Sequence, residues 1–203
     1  MTTRVAAAVE RALDDRQREA TEEVERILAA AVRVMERVAP EAPRVSDIVT
    51  EAGSSNKAFY RYFAGKDDVI LAVMERGVAI VVSYLDHQMA KERTSAGKVR
   101  RWIEGALAQV ADPHLISMSR AAAGQVSAAA DWRAADDAIM RPMRDLLTEP
   151  VAGLGSTDVQ RDTDAVFLCT VSAMRRYLDS SQRPHPADVD HLVRFCLRGL
   201  GVE

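Results

Sequence analysis

Apolar residues recur at intervals of three and four along this chain and nowhere alternate in twos over the length of a strand. That spacing calls for helices and leaves no candidate for a sheet. Only 10 glycines and 7 prolines interrupt the 203 residues, so long helices can run without breakers. With 48% apolar and 28% charged residues the chain can bury a real core. The expected fold is all-α with about nine helices. A three-helix N-terminal head carrying a helix-turn-helix is followed by a larger C-terminal helical domain.

The breakers place the helices. Between Arg18 and Val38, the residues Val24, Ile27, Leu28, Ala31, Met35 and Val38 share one face, and Pro40 and Pro43 end it. The residues before Arg18 are charged and alanine-rich, either an extension of that helix or a frayed end. A short helix over Val45–Ala52 is stopped by Gly53. A second runs from Ser55, a good N-cap, to Phe63, before Ala64 and Gly65 break the chain again. Two short helices about a glycine turn make a helix-turn-helix. A long helix over 66–90 has Asp67 and Asp68 in its first turn, where the helix dipole favours them. Further helices are expected at 96–111, 113–129, 131–149, 158–179 and 186–199, with a kink at Pro142.

Several function classes are disfavoured. The net charge of −3 rules out a uniformly basic nucleic-acid binder, so any such contact must come from a local patch. Cys169 and Cys196 have no CxxC spacing and sit among apolar residues, which reads as buried thiols in a reducing compartment. The N-terminus lacks the apolar core of a signal peptide, and no apolar run is long enough to span a membrane; a cytoplasmic protein is expected. His87, His114, His185 and His191 are scattered, and no HExxH, GxSxG or P-loop pattern is present. Neither an enzyme nor a metal or cofactor site is expected. The Gly153–Gly155 stretch lacks the rest of a phosphate loop.

The informative stretch is Ser55 to Phe63. Phe59 and Phe63 are four apart and share a helix face that can anchor against Ile27, Leu28 and Ile48. The other side then presents Asn56, Lys57, Tyr60 and Arg61. These types suit a duplex: basic groups neutralise phosphates or read guanine, asparagine pairs with adenine, and tyrosine hydroxyls bond phosphates. Across 44–66, Arg44, Lys57, Arg61 and Lys66 stand against Asp47 and Glu51. Lys66 also opens a helix whose free N–H groups suit phosphate. An ordinary amphipathic core helix fits the same residues.

The order of motifs resembles the tetracycline-repressor (TetR) family. Its head has a first long helix, a D-I-x-x-x-A-G-x-S stretch, an aromatic L/F-Y-x-Y/H-F run and a K-D/E start to the fourth helix. Here these read Asp47 to Ser55, Phe59-Tyr60-Arg61-Tyr62-Phe63 and Lys66-Asp67-Asp68, without a gap over about residues 22–75. Two places depart from the pattern. Arg44 stands where a threonine cap is usual, leaving Ser46 to cap instead. Lys57-Ala58 replaces a Gly-Thr pair, so a hydroxyl often used on DNA is missing. The resemblance implies that Tyr60, Tyr62 and Lys66 grip phosphates. It implies that Ser55, Asn56 and Lys57 reach bases or nearby backbone, and that Arg44 touches flanking backbone.

A head of this kind contacts too few base pairs alone, so a homodimer on double-stranded operator DNA is expected. The last two helices are the candidate interface. Ala165 to Met174 is apolar almost all round, and Val189, Leu192, Val193, Cys196, Leu197 and Leu200 form one stripe. Ordinary core helices fit those residues too; the resemblance favours a four-helix bundle with the partner. It also implies a small-molecule effector, taken as fairly apolar. Candidate lining residues are Met74, Tyr84, Trp102, Leu115, Met118, Met140, Met143 and Phe167, which equally suit a filled core. The implied division is 18–66 for the helix-turn-helix domain and 67–203 for effector binding and dimerisation. The implied function is a repressor released from a palindromic operator. The competing reading is a helical dimer acting as a protein-interaction module without sequence-specific DNA binding.

Overall fold

The computed structural model describes residues 3–39, 41–111, 131–178, 180 and 182–202, with the backbone alone at 131–136. Every regular element among them is a helix: α1 (Arg4–Val38), α2 (Val45–Glu51), α3 (Asn56–Tyr62), α4 (Lys66–Met89), α5 (Ser95–Ala108), α6 (Asp131–Asp145), α7 (Thr148–Ala152), α8 (Val159–Leu178) and α9 (Pro186–Gly199). The helix expected at 113–129 lies outside the described residues, and Leu115 and Met118 with it. The chain divides into two compact units, Met1–Val73 and Met74–Glu203.

In the first unit α1 supplies the longest face. Ile27, Leu28, Ala30, Ala31, Val34 and Met35 are buried, the apolar stripe of a 3.6-residue repeat. Ile48 and Val49 of α2, Phe59 of α3, and Val69 and Ile70 at the start of α4 complete the core. Each such side chain contributes about 2 kcal/mol on burial. Helix α1 begins at Arg4, much earlier than the apolar stripe indicates. Thr3 caps it, its side chain accepting from Ala6 N at 3.2 Å. Ala39 ends it at φ −51°, ψ 136°, outside the helical region that a residue before proline avoids.

In the second unit Trp102, Ile103, Ala106, Val99 and Val110 centre a core that also takes Leu85, Met143, Leu147, Val151, Val166, Val193 and Leu197. Gly105 lets α4 and α5 approach closely, since a Cβ there would lie 2.6 Å from Leu85 Cδ2. The single helix expected at 131–149 is divided in two. Pro150 clashes with the carbonyl four residues earlier, at Leu146, so α6 ends at Asp145 and α7 restarts at Thr148. Pro150 itself sits buried in the first turn of α7, where its missing N–H costs nothing. Pro142 is accommodated inside α6. Pro186 opens α9, and His185 caps it by accepting from Ala187 N at 3.2 Å.

Candidate nucleic-acid interface

The turn between α2 and α3 is a Schellman motif. Gly53 takes φ +60°, its N–H donates to Thr50 O at 3.2 Å, and Ser54 N–H donates to Val49 O at 3.1 Å. A side chain other than glycine would be strained there. Ser55 then caps α3, its hydroxyl accepting from Ala58 N at 3.1 Å. The turn and the cap together fix where α3 starts.

Helix α3 has two faces. Ala58 and Phe59 are buried, and Phe63 closes the helix with its ring 5.5 Å from that of Phe59. Asn56, Lys57, Tyr60 and Arg61 are exposed on the other side. Tyr60 stands edge-on to Phe59 at 5.3 Å and is itself exposed. Lys66 and Arg44 are exposed as well, at the starts of α4 and α2. Ser55 is exposed, with its hydroxyl already spent as an acceptor in the cap.

Tyr62 differs from the other candidates. It is half-buried, and its hydroxyl donates to Glu23 Oε2 of α1 at 3.0 Å. That proton is therefore committed inside the protein. Arg61 lies 3.8 Å from the same oxygen. Arg44 is the N-cap residue of α2 with no side-chain cap bond, and Ser46 does not cap; its hydroxyl meets Asp47 Oδ1 at 3.3 Å. At α4, Asp68 accepts from Ala64 N at 2.8 Å and closes the loop behind Lys66.

One of the two carboxylates in the 44–66 stretch, Glu51, is offset by arginines from outside it. Glu51 is held by Arg33 at 2.8 Å and Arg37 at 3.0 Å, both from α1. Those hydrogen bonds, Arg33 first, keep its carboxyl below the ordinary carboxylate value. Glu23 is likewise engaged. Lys57 and Lys66 form no ion pair among the described residues. Glu23, Arg33 and Arg37 escape a sequence reading because their partners lie 14 to 39 residues away with no local motif between.

In the second unit, Trp102 and Met143 are core residues, with Trp102 Nε1 donating to Met143 O at 3.0 Å. Phe167 packs on Trp102 at 6.2 Å between ring centres. Met74 and Met140 are half-buried, and Tyr84 is exposed. A cleft of about 410 Å³ lies elsewhere, between α8 and α9 beside Arg176, Tyr177, Val189 and Leu192.

Residues 27–73 match the family described as bacterial regulatory proteins, tetR family. No curated protein matches the chain by sequence. Among solved structures, the fold is similar to the transcriptional regulator FadR from Bacillus subtilis in complex with stearoyl-CoA (TM-score 0.69, 18% identity, covering 87% of this chain and 96% of that one). It is similar to a TetR-family transcriptional regulator from Streptomyces coelicolor (TM-score 0.60, 22% identity, 88% and 87% covered). A tetR-family bacterial regulatory protein from Rhodococcus RHA1 is also similar (TM-score 0.65, 17% identity, 89% and 98% covered). The chain thus carries, at residues 27–73, the DNA-binding domain of the tetR family of bacterial transcriptional regulators, on the all-helical fold that such regulators share.

Proposed function

We propose that this chain is a transcriptional repressor that holds a palindromic operator as a homodimer and leaves it when a small, fairly apolar molecule binds. The observation that carries the DNA part is the exposed face of α3. Asn56, Lys57, Tyr60 and Arg61 stand there together, set by the Gly53 turn and the Ser55 cap, with Lys66 nearby in the chain. In this reading Tyr60 and Lys66 grip phosphates, Asn56 and Lys57 reach base edges, and Arg44 and Arg61 add backbone contacts. Tyr62 acts from behind, through Glu23. Residues 18–66 form the reading head, and 67–203 serve dimerisation and effector binding.

The dimer reading draws on Leu168 of α8 and Phe195 of α9, which are 58% and 61% exposed on the last two helices. Large apolar side chains so placed suit a partner helix. For the effector, the half-buried Met74, Met140 and Phe167 with Tyr84 fit a lining better than the filled positions Trp102 and Met143. The B. subtilis FadR of similar fold is in complex with stearoyl-CoA, which supports an effector with apolar character. An effector acts only if it prefers the conformation that binds DNA less well.

Selection of bound fragments from a random DNA pool tests the proposal. The expected product is a two-fold palindrome whose half-sites lie about one helical turn apart. Its affinity should fall steeply with salt. Recovery of no enriched sequence would favour a helical dimer that binds other proteins.

A further inference from the structure

We propose that Glu23 positions the DNA-reading helix and restrains Arg61, and so favours sequence-specific over indiscriminate binding. The proposal rests on the DNA-binding reading above. Three groups converge on one carboxylate. Glu23 Oε1 accepts from Ser54 Oγ at 3.3 Å, in the turn leading into α3. Oε2 accepts from the hydroxyl of Tyr62, the last residue of α3, at 3.0 Å. The same Oε2 lies 3.8 Å from Arg61 Nη1. A single side chain of α1 therefore holds both ends of α3.

Helix α3 has 7 residues, too few to be stable or well directed alone. Burial of Phe59 and Phe63 sets its depth, but apolar contact has no preferred direction. Hydrogen bonds at both ends supply the direction. The Glu23 side chain is only 22% exposed, so its acceptors compete little with water.

The electrostatic part concerns Arg61. It is exposed, four residues after Lys57 on the same face. Unrestrained, it would add one phosphate contact to any duplex, whatever its sequence. The 3.8 Å ion pair, open to solvent on the arginine side, competes with that contact without forbidding it. A closely seated duplex can capture Arg61, and a loosely held one cannot. Glu23 thus weakens non-specific binding more than specific binding.

The full-length protein is titrated with a random-sequence duplex and with a palindrome of equal length recovered by selection. Glu23→Gln keeps an acceptor and removes the charge. Its binding to the random duplex should tighten and gain the salt dependence of one more phosphate, about 3.5-fold extra loss between about 50 and 200 mM salt. In an Arg61→Gln background that gain should vanish. Glu23→Ala also removes the clamp, and the preference for the palindrome should fall about tenfold, as for one lost base-pair contact. Circular dichroism checks that each variant is folded. If Glu23→Ala does not fold, the Glu23→Gln and Arg61→Gln pair decides alone. A lower melting temperature with an unchanged salt slope would overturn the proposal. So would a Glu23→Gln gain that persists without Arg61. Wild-type protein that binds neither duplex at low salt removes the DNA-binding reading, and this proposal with it.

Discussion

Tyr60 and Lys66 are exposed, and neither is tied to another side chain by a hydrogen bond or ion pair among the described residues. Both are therefore available to a duplex at no internal cost. Joint replacement, Tyr60→Ala with Lys66→Ala, should weaken operator binding more than about a hundredfold, since each bond to a charged oxygen contributes about 1.5–3 kcal/mol. The far-UV helix signal should stay unchanged; full binding in such a protein would remove these residues from the interface. Glu51 makes a different prediction. Its folded pKa is depressed by Arg33 and Arg37, so the stabilisation it gives is present above the unfolded carboxylate value and lost as pH falls through the folded one. Melting temperature should hold steady from neutral pH to about pH 5 and then drop in acid. Glu51→Gln should melt lower at pH 7 and lose part of that acid dependence; an identical pH profile would show that the two arginines are not what lowers it. Cys196 lies at the other extreme. Burial first, and Cys169 second, push its thiol up to about 11. At pH 8 only about one molecule in a thousand carries the thiolate. Mass spectrometry after treatment with a thiol reagent should find Cys196 unmodified until denaturant is added.

Among the elements, α8 makes the clearest demand. Ala165, Leu168 and Ser172 are exposed at spacings of three and four, a narrow stripe of small and apolar groups on a helix whose Val166 and Thr170 are buried on another side. If that stripe meets its own copy, Leu168 is buried twice per dimer. Leu168→Glu should then raise the dimer dissociation constant by roughly two to three orders of magnitude. Sedimentation over a dilution series reads this directly, and an unchanged dimer would move the interface off α8. The elements also show what periodicity can and cannot reveal. Helices α2, α3, α4 and α9 are legible because a proline, a glycine or a cap stands at their ends. The first turns of α1 are not, because spacing arguments look for a buried face and residues 8–19 have none. Their helix rests on alanine-rich propensity and the Thr3 cap. The break before α7 is caused by Pro150, but it falls four residues upstream of the proline, where Leu146 and Leu147 look like ordinary helix. At the candidate interface, the outward residues of α3 follow from spacing alone. The carboxylates that shape it do not, because Glu23 and Glu51 meet their partners only once three helices have packed.

Over the whole molecule, an acidic chain must bind a polyanion. The net charge is −3, yet Lys57 and Lys66 form no ion pair among the described residues, while Glu23 and Glu51 are offset by arginines. With the chain acidic as a whole, the affinity for DNA should be set by how well the local basic side chains seat rather than by total charge. The long first helix bears on how such seating could be watched. Its 35 residues span about 52 Å, and over residues 8–19 every side chain faces solvent. Those amides are held only by a local helix–coil balance, so their hydrogen exchange should quicken steadily toward the N-terminus while the amides around Ile27 and Ala31 wait for global opening. Since nothing within the described protein slows them, protection that appears there when a duplex or a second protein is added marks direct contact. The exposed turns of α1 are a built-in gauge of what the head touches.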